Sequence, residues 1–149
     1  MYRQIVPEII DKQKLITISP SATVRDACRL MAQHSIGAVL VLEDEKLIGI
    51  FTERDLLMRV TAQHLDPDTT HISGVMTADP DTVDINASTS GILNQMKEHG
   101  YRHLPITENG ELIGIISVRD LYAAVKSELE HGIQQREAFI FGHYGAMSS

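Results

Sequence analysis

Cysteine is nearly missing from this chain. A single residue in 149, Cys28, cannot staple a fold, and one thiol is no basis for a zinc centre of the spaced-pair type. Long apolar runs are missing too. Although 43% of the residues are hydrophobic, they come in short stretches, far below the roughly 20 consecutive residues that a membrane-spanning helix needs. The opening "MYRQIVPEIIDKQKLI" has no basic start followed by an unbroken apolar core. No secretory leader is therefore expected, and the expected location is cytoplasmic. Basic charge is in deficit, with 13 Lys and Arg against 20 Asp and Glu and a formal charge of -7. That balance argues against a general nucleic-acid binder, which needs a basic face to neutralise phosphates. Neither nucleic acid nor membrane is an expected partner.

What the chain does have is a repeat. "LIGIFTERDLL" fills residues 47–57 and "LIGIISVRDLY" fills 112–122, an offset of 65. The same offset lays residues 17–57 on 82–122 without a gap: Thr17 on Thr82, Ala22 on Ala87, Met31 on Met96, His34 on His99. Roughly a quarter of the aligned positions are identical, and most others keep their polar or apolar character.

Each copy spells the same elements. Val24, Ala27, Cys28 and Met31 share one face of a helix, which predicts Cys28 as a packing residue with no activating neighbour. "GAVLVLE" and "LIGIF" are short, β-branched apolar runs that predict buried strands around the polar turn "EDEK". "TERDLLMRVTAQH" returns to helical spacing through Leu56, Leu57 and Val60. The second copy predicts a helix through Ile92, Leu93 and Met96, a strand "HLPIT", a turn at Asn109 and Gly110, a strand "LIGII" and a helix from Ser117 to about His131. Pro105 inside a strand predicts an edge or an unpaired position. The pattern is β-α-β-β-α, twice.

That pattern, an apolar-x-Gly-apolar-apolar-Thr/Ser-x-x-Asp motif closing each copy, and Val75-Met76-Thr77 leading into the second copy resemble the cystathionine β-synthase (CBS) domain. The resemblance covers about residues 5–130. It implies an α/β (α+β) fold in which two repeats pack around a pseudo-twofold axis as one Bateman module, with two clefts for adenosine-containing ligands and no catalytic machinery. The expected organisation is repeat 1 over 5–64, a linker and lead-in segment over 65–81, repeat 2 over 82–131 and a C-terminal extension over 132–149.

Two readings of the motif stay open. Thr52-Glu53-Arg54-Asp55 and Ser117-Val118-Arg119-Asp120 fit a capping box, in which hydroxyl and carboxylate close a helix start. They also fit a ligand site, because a carboxylate can accept both hydroxyls of a ribose and a helix start offers free amides to phosphate. The resemblance places Asp55 and Asp120 at ribose hydroxyls, with Thr52 and Ser117 near ribose or the first phosphate. It adds Thr17, Ile18, Ile36, Gly37, Ala38, Val39 and Arg54 to the first-repeat cleft. To the second-repeat cleft it adds Thr82, Val83, Tyr101, Arg102, His103, Leu104, Pro105 and Arg119. On this assignment only the second cleft holds Arg102 and His103, so the Asp120 cleft is expected to bind more strongly. Arg54 and Arg119 are read either as phosphate contacts or as surface ion pairs.

No metal site is expected. His34 and His99 end equivalent helices, where an imidazole suits the dipole, and the other histidines are scattered. No cofactor is required, although a bound ATP would bring its own Mg2+. The tail "ELEHGIQQREAFIFGHYGAMSS" holds Phe139, Phe141, Tyr144 and Met147, which predicts packing on the module or on a second copy. A homodimer is expected. The expected function is non-catalytic: a sensor of AMP, ADP or ATP that alters contacts with a partner protein of unknown identity. S-adenosylmethionine or NAD(H) is the alternative ligand, and a structural dimerisation module with empty clefts is the alternative role. A small hydrolase is a further class, for which the spacing shows no Ser-His-Asp, Cys-His or paired-carboxylate arrangement.

Overall fold

The computed structural model describes residues 5–11 and 14–132. In chain order the elements are α1 (Ile5–Asp11), β1 (Thr17–Ile18), α2 (Val24–His34), β2 (Ala38–Glu43), β3 (Lys46–Thr52), α3 (Glu53–Asp55), β4 (Thr77–Ala78), β5 (Val83–Asp84), α4 (Thr89–His99), β6 (His103–Glu108) and β7 (Glu111–Ser117). A further helix, α5, runs over residues 118–132. The 65-residue offset maps α2 onto α4, β2 onto β6 and β3 onto β7 at both ends of each element.

Pairing repeats as faithfully. The first sheet has the order β1-β2-β3-β4 and the second β5-β6-β7. In each, a short parallel strand flanks an antiparallel hairpin, and the register slips once, between Val41 and Leu42 and again between Ile106 and Thr107. Both hairpins close with two residues at positive φ, Asp44 and Glu45 in the first, Asn109 and Gly110 in the second. That is the backbone hand that matches strand twist.

Helix starts are built from local chemistry. Thr23 and Asp26 form a reciprocal cap on α2, the Asp26 amide donating to Thr23 Oγ1 (3.2 Å) and the Thr23 amide to Asp26 Oδ2 (3.1 Å). Ser88 Oγ accepts from the Gly91 amide at the start of α4. Val24, Ala27 and Met31 of α2 are buried with Val39, Val41 and Phe51 in one core. Cys28 lies half-buried beside that core, where burial pushes its thiol pKa up. Ile92 and Met96 of α4 join Leu104, Ile106 and Ile116 in a second core. The alternate strand residues Ala38, Leu40 and Ile50 face the other way and meet Leu112 and Ile115, so a third cluster joins the two sheets.

Two features depart from the sequence expectation, and a third decides between two alternatives it left open. Helix α1 falls within the expected bounds of the first repeat yet packs on the second, with Val6, Ile9 and Ile10 on the Val83–Leu104–Ile116 core. The helix expected after Thr52 is α-helical only through Asp55 and widens to a π-helix over Leu56–Thr61. Bonds from the Ala62 amide to Leu57 O and from the Leu65 amide to Val60 O mark the five-residue step. This widening buries Val60 but leaves Leu57 62% exposed. Third, Pro105 lies in the middle strand of its sheet, not at an edge, but β5 first pairs at Ile106, so the missing N–H falls beyond the end of that neighbour. Leu40, its repeat counterpart, has the amide and donates it to Ile16 O at 3.5 Å. The aromatic residues of the expected tail lie outside the described residues.

Candidate functional site

Two clefts open between the repeats, one around Asp55 and one around Asp120. Their volumes are about 1170 and about 910 Å³, each large enough for a drug-sized ligand, whose pockets measure roughly 300–1,000 Å³. Each motif carboxylate sits where a buried strand turns into a helix. The Thr52 amide donates to Asp55 Oδ2 (3.0 Å) and the Asp55 amide to Thr52 Oγ1 (3.1 Å). Likewise the Ser117 amide donates to Asp120 Oδ2 (2.9 Å) and the Asp120 amide to Ser117 Oγ (3.1 Å). Both boxes are closed, so capping is a property of both motifs.

The second oxygen separates the two aspartates. Asp55 is 8% exposed, and its Oδ1 accepts from the Thr77 hydroxyl (3.4 Å) and lies 3.6 Å from Arg59 Nε. Arg59, on the π-helical segment, also donates to Met76 O (2.7 Å), tying α3 to the lead-in of the second repeat. Asp120 is half-buried, and its Oδ1 has no hydrogen-bond partner among the described residues. One carboxylate is spent on the fold; the other keeps acceptor capacity facing a cleft.

The clefts are assembled across the repeats, not within them. Thr52, Arg54 and Asp55 share the first cleft with Tyr101, Arg102, His103 and Leu104. Ser117, Arg119 and Asp120 share the second with Ile36, Gly37 and Ala38. This corrects the within-repeat grouping expected above, and with it the argument that only the Asp120 cleft holds Arg102 and His103: those two residues line both. The cause is face-to-face packing of the sheets, which sets the helix start of one repeat against the helix-to-strand turn of the other. Thr17, Ile18, Val39, Thr82, Val83 and Pro105 line neither cleft. Val39 and Val83 belong to the helix-facing cores and Ile18 packs against the first of these, while Thr17 and Thr82 are exposed and Pro105 is buried.

Several lining residues were missed. Lys14 and Ile16 line the Asp120 cleft, and Asp79, Pro80 and Asp81 line the Asp55 cleft. The signal was available, because the offset carried upstream lays Lys14 on Asp79 and Ile16 on Asp81. The exchange of Lys for Asp changes the charge of the two sites. Leaving histidines aside, the Asp120 cleft has Lys14, Arg102 and Arg119 against Glu53 and Asp120. The Asp55 cleft has Arg54, Arg59 and Arg102 against Glu53, Asp55, Asp79 and Asp81. A surplus of cations lines only the Asp120 cleft.

Aromatic and ionisable groups complete the walls. His99 stacks on Tyr101 with centroids 5.3 Å apart, and the Tyr101 hydroxyl donates to Asp81 (2.8 Å), which raises its pKa. Arg54 donates to Met58 Sδ (3.4 Å), and among the described residues neither Arg54 nor Arg119 forms an ion pair. Burial holds the His103 imidazole below its ordinary pKa of 6.5, opposed by the carboxylates of Glu53 and Asp120. Among the described residues no group of three or more His, Cys, Asp or Glu is placed to hold a metal ion, and no helix is long and apolar enough to cross a membrane.

Comparison with known proteins agrees with this architecture. The family model for the CBS domain matches residues 7–62 and 72–127. The chain is 39% identical over 127 residues to the CBS domain-containing protein CBSCBSPB2 of Arabidopsis thaliana, covering 84% of this chain and 24% of that protein. It thus spans about a quarter of that relative's length. Among solved structures it resembles the CBS-domain protein ATU1752 from Agrobacterium tumefaciens, with 31% identity, a TM-score of 0.76 and coverage of 83% of this chain and 98% of that one. It also resembles the CBS domain protein PAE2072 from Pyrobaculum aerophilum complexed with AMP, with 27% identity, a TM-score of 0.68 and coverage of 75% and 86%.

Proposed function

The chain belongs to the CBS-domain family as a tandem pair, and from that premise we propose that it is a non-catalytic sensor of adenine nucleotides, AMP, ADP or ATP, whose main site is the Asp120 cleft. The observation that carries the proposal is the spare oxygen of Asp120 in the cleft whose cations outnumber its carboxylates, in a chain that is acidic as a whole. A ribose diol needs a carboxylate acceptor, and a phosphate needs cations such as Arg119 and Lys14 nearby. The solved relative complexed with AMP supports the ligand class. Ser117 Oγ is engaged in capping and is not bonded to an imidazole, so it has no activating base. Occupancy would be read by a partner protein, in a cytoplasmic setting that suits a chain with one cysteine.

We extend the proposal to a homodimer. Leu57 and Tyr122, repeat counterparts, are 62% and 71% exposed, an apolar pair that a second copy would cover.

Calorimetry and thermal shift with AMP test the site. Asp120→Ala should weaken binding by about ten- to a hundredfold, the cost of a hydrogen bond to a charged group being about 1.5–3 kcal/mol. A 2'-deoxy nucleotide should bind more weakly than its ribose counterpart and lose less on Asp120→Ala. Asp55→Ala should act on stability first, since it removes a cap worth about 0.5–2 kcal/mol and leaves Arg59 without its carboxylate. No heat and no melting shift with any adenosine compound up to about millimolar, or unchanged affinity in Asp120→Ala, would overturn the reading.

A further inference from the structure

Three charged or ionisable side chains, Glu53, Arg102 and His103, line both clefts. Their counterparts under the 65-residue offset are Val118, Gly37 and Ala38, so Glu53 from the first repeat and Arg102 and His103 from the second have no charged equivalent in the other copy. The missing side chain at Gly37 makes the room: a Cβ there would lie 2.9 Å from Glu53 Oε1 and 3.5 Å from His103 Cε1. Arg102 is exposed, and among the described residues its guanidinium has no hydrogen bond or ion pair. A guanidinium pairs bidentately with a phosphate through one edge of its fork, and its single positive charge, once paired, offers less to a second anion.

We propose that the two clefts are coupled through this shared wall, so that a phosphate-bearing ligand in the Asp120 cleft engages Arg102 and lowers the affinity of the Asp55 cleft for a second such ligand. The inference rests on the nucleotide reading above. It makes the chain respond to its first ligand strongly and to its second weakly, a negative linkage that is reciprocal between the sites. It also assigns the coupling to phosphate, because the uncharged nucleoside gives Arg102 nothing to choose between.

Methyl NMR separates the clefts, since Met58 lines only the Asp55 cleft and Ile16 only the Asp120 cleft. Titrating AMP into the whole chain, the Ile16 methyl should respond first and the Met58 methyl at higher concentration. In Asp120→Ala, which weakens the first site, the Met58 midpoint should move to lower AMP by several-fold, up to about tenfold, the share of one charge-assisted contact. That gain should vanish when Arg102→Met is added, a substitution at an exposed side chain that spares the core. Adenosine should show no such shift in any variant. An unchanged Met58 midpoint in Asp120→Ala overturns the coupling while leaving nucleotide binding in place. A gain that survives Arg102→Met overturns the assignment to that residue. Silence of both methyls towards AMP and adenosine overturns the nucleotide reading and the coupling with it.

Discussion

His103 opens strand β6, where burial, helped by the Arg102 charge, disfavours the imidazolium more than the carboxylates of Glu53 and Asp120 favour it. Its folded pKa is therefore depressed below 6.5. The unfolded chain takes up this proton first as pH falls, so stability from His103 is present in full above the ordinary value and declines below it. Melting temperature should fall between pH 7 and about 5.5, and His103→Gln should flatten that decline. Equal pH profiles for the two proteins would show that the ring is not held neutral. At this scale the sequence named the motif residues well, because a repeated Thr/Ser-x-x-Asp is a local pattern with a local consequence, the closed cap. It could not say which repeat's turn faces which aspartate. Spacing reports neighbours along a strand or helix, whereas Arg102 reaches Asp55's cleft through the packing of two sheets.

Among the elements, β3 is the most crowded. Gly49 pairs with Val41 on one side and with Ala78 on the other, and a Cβ on it would overlap the Met76 side chain at Sδ. Met76 packs against the first core, so its side chain gives up contacts there when it moves aside. Gly49→Ala should cost about 1–3 kcal/mol of stability in chemical denaturation, the usual penalty of overpacking. Adding Met76→Ala should return part of the loss, because contacting sites are not additive; full additivity would point to a backbone cause instead. Hairpins and the helices α2, α4 and α5 were legible, since short apolar runs around polar turns mark the first and helical spacing of apolar residues the second. The π-helical segment was not, because Leu56, Leu57 and Val60 fit an α-helical stripe equally well.

For the whole molecule, the proposed dimer makes Tyr122 the natural probe, because an aromatic side chain at 71% exposure gains most from being covered. Tyr122→Glu should convert the dimer to a monomer in light scattering or sedimentation while leaving the fold intact, as the position contributes to no described core. An unchanged mass would place the contact elsewhere. The repeat made the two-part architecture readable, but no periodicity revealed that α1 crosses over to the second half. That crossing sets an order of events during synthesis. α1 packs on β7, a strand that leaves the ribosome about a hundred residues later, so its apolar face waits uncovered until that strand emerges. The first repeat can close once its hairpin, its helices and the segment through β4 have emerged. Completion of the second is the step that gives α1 a place to dock.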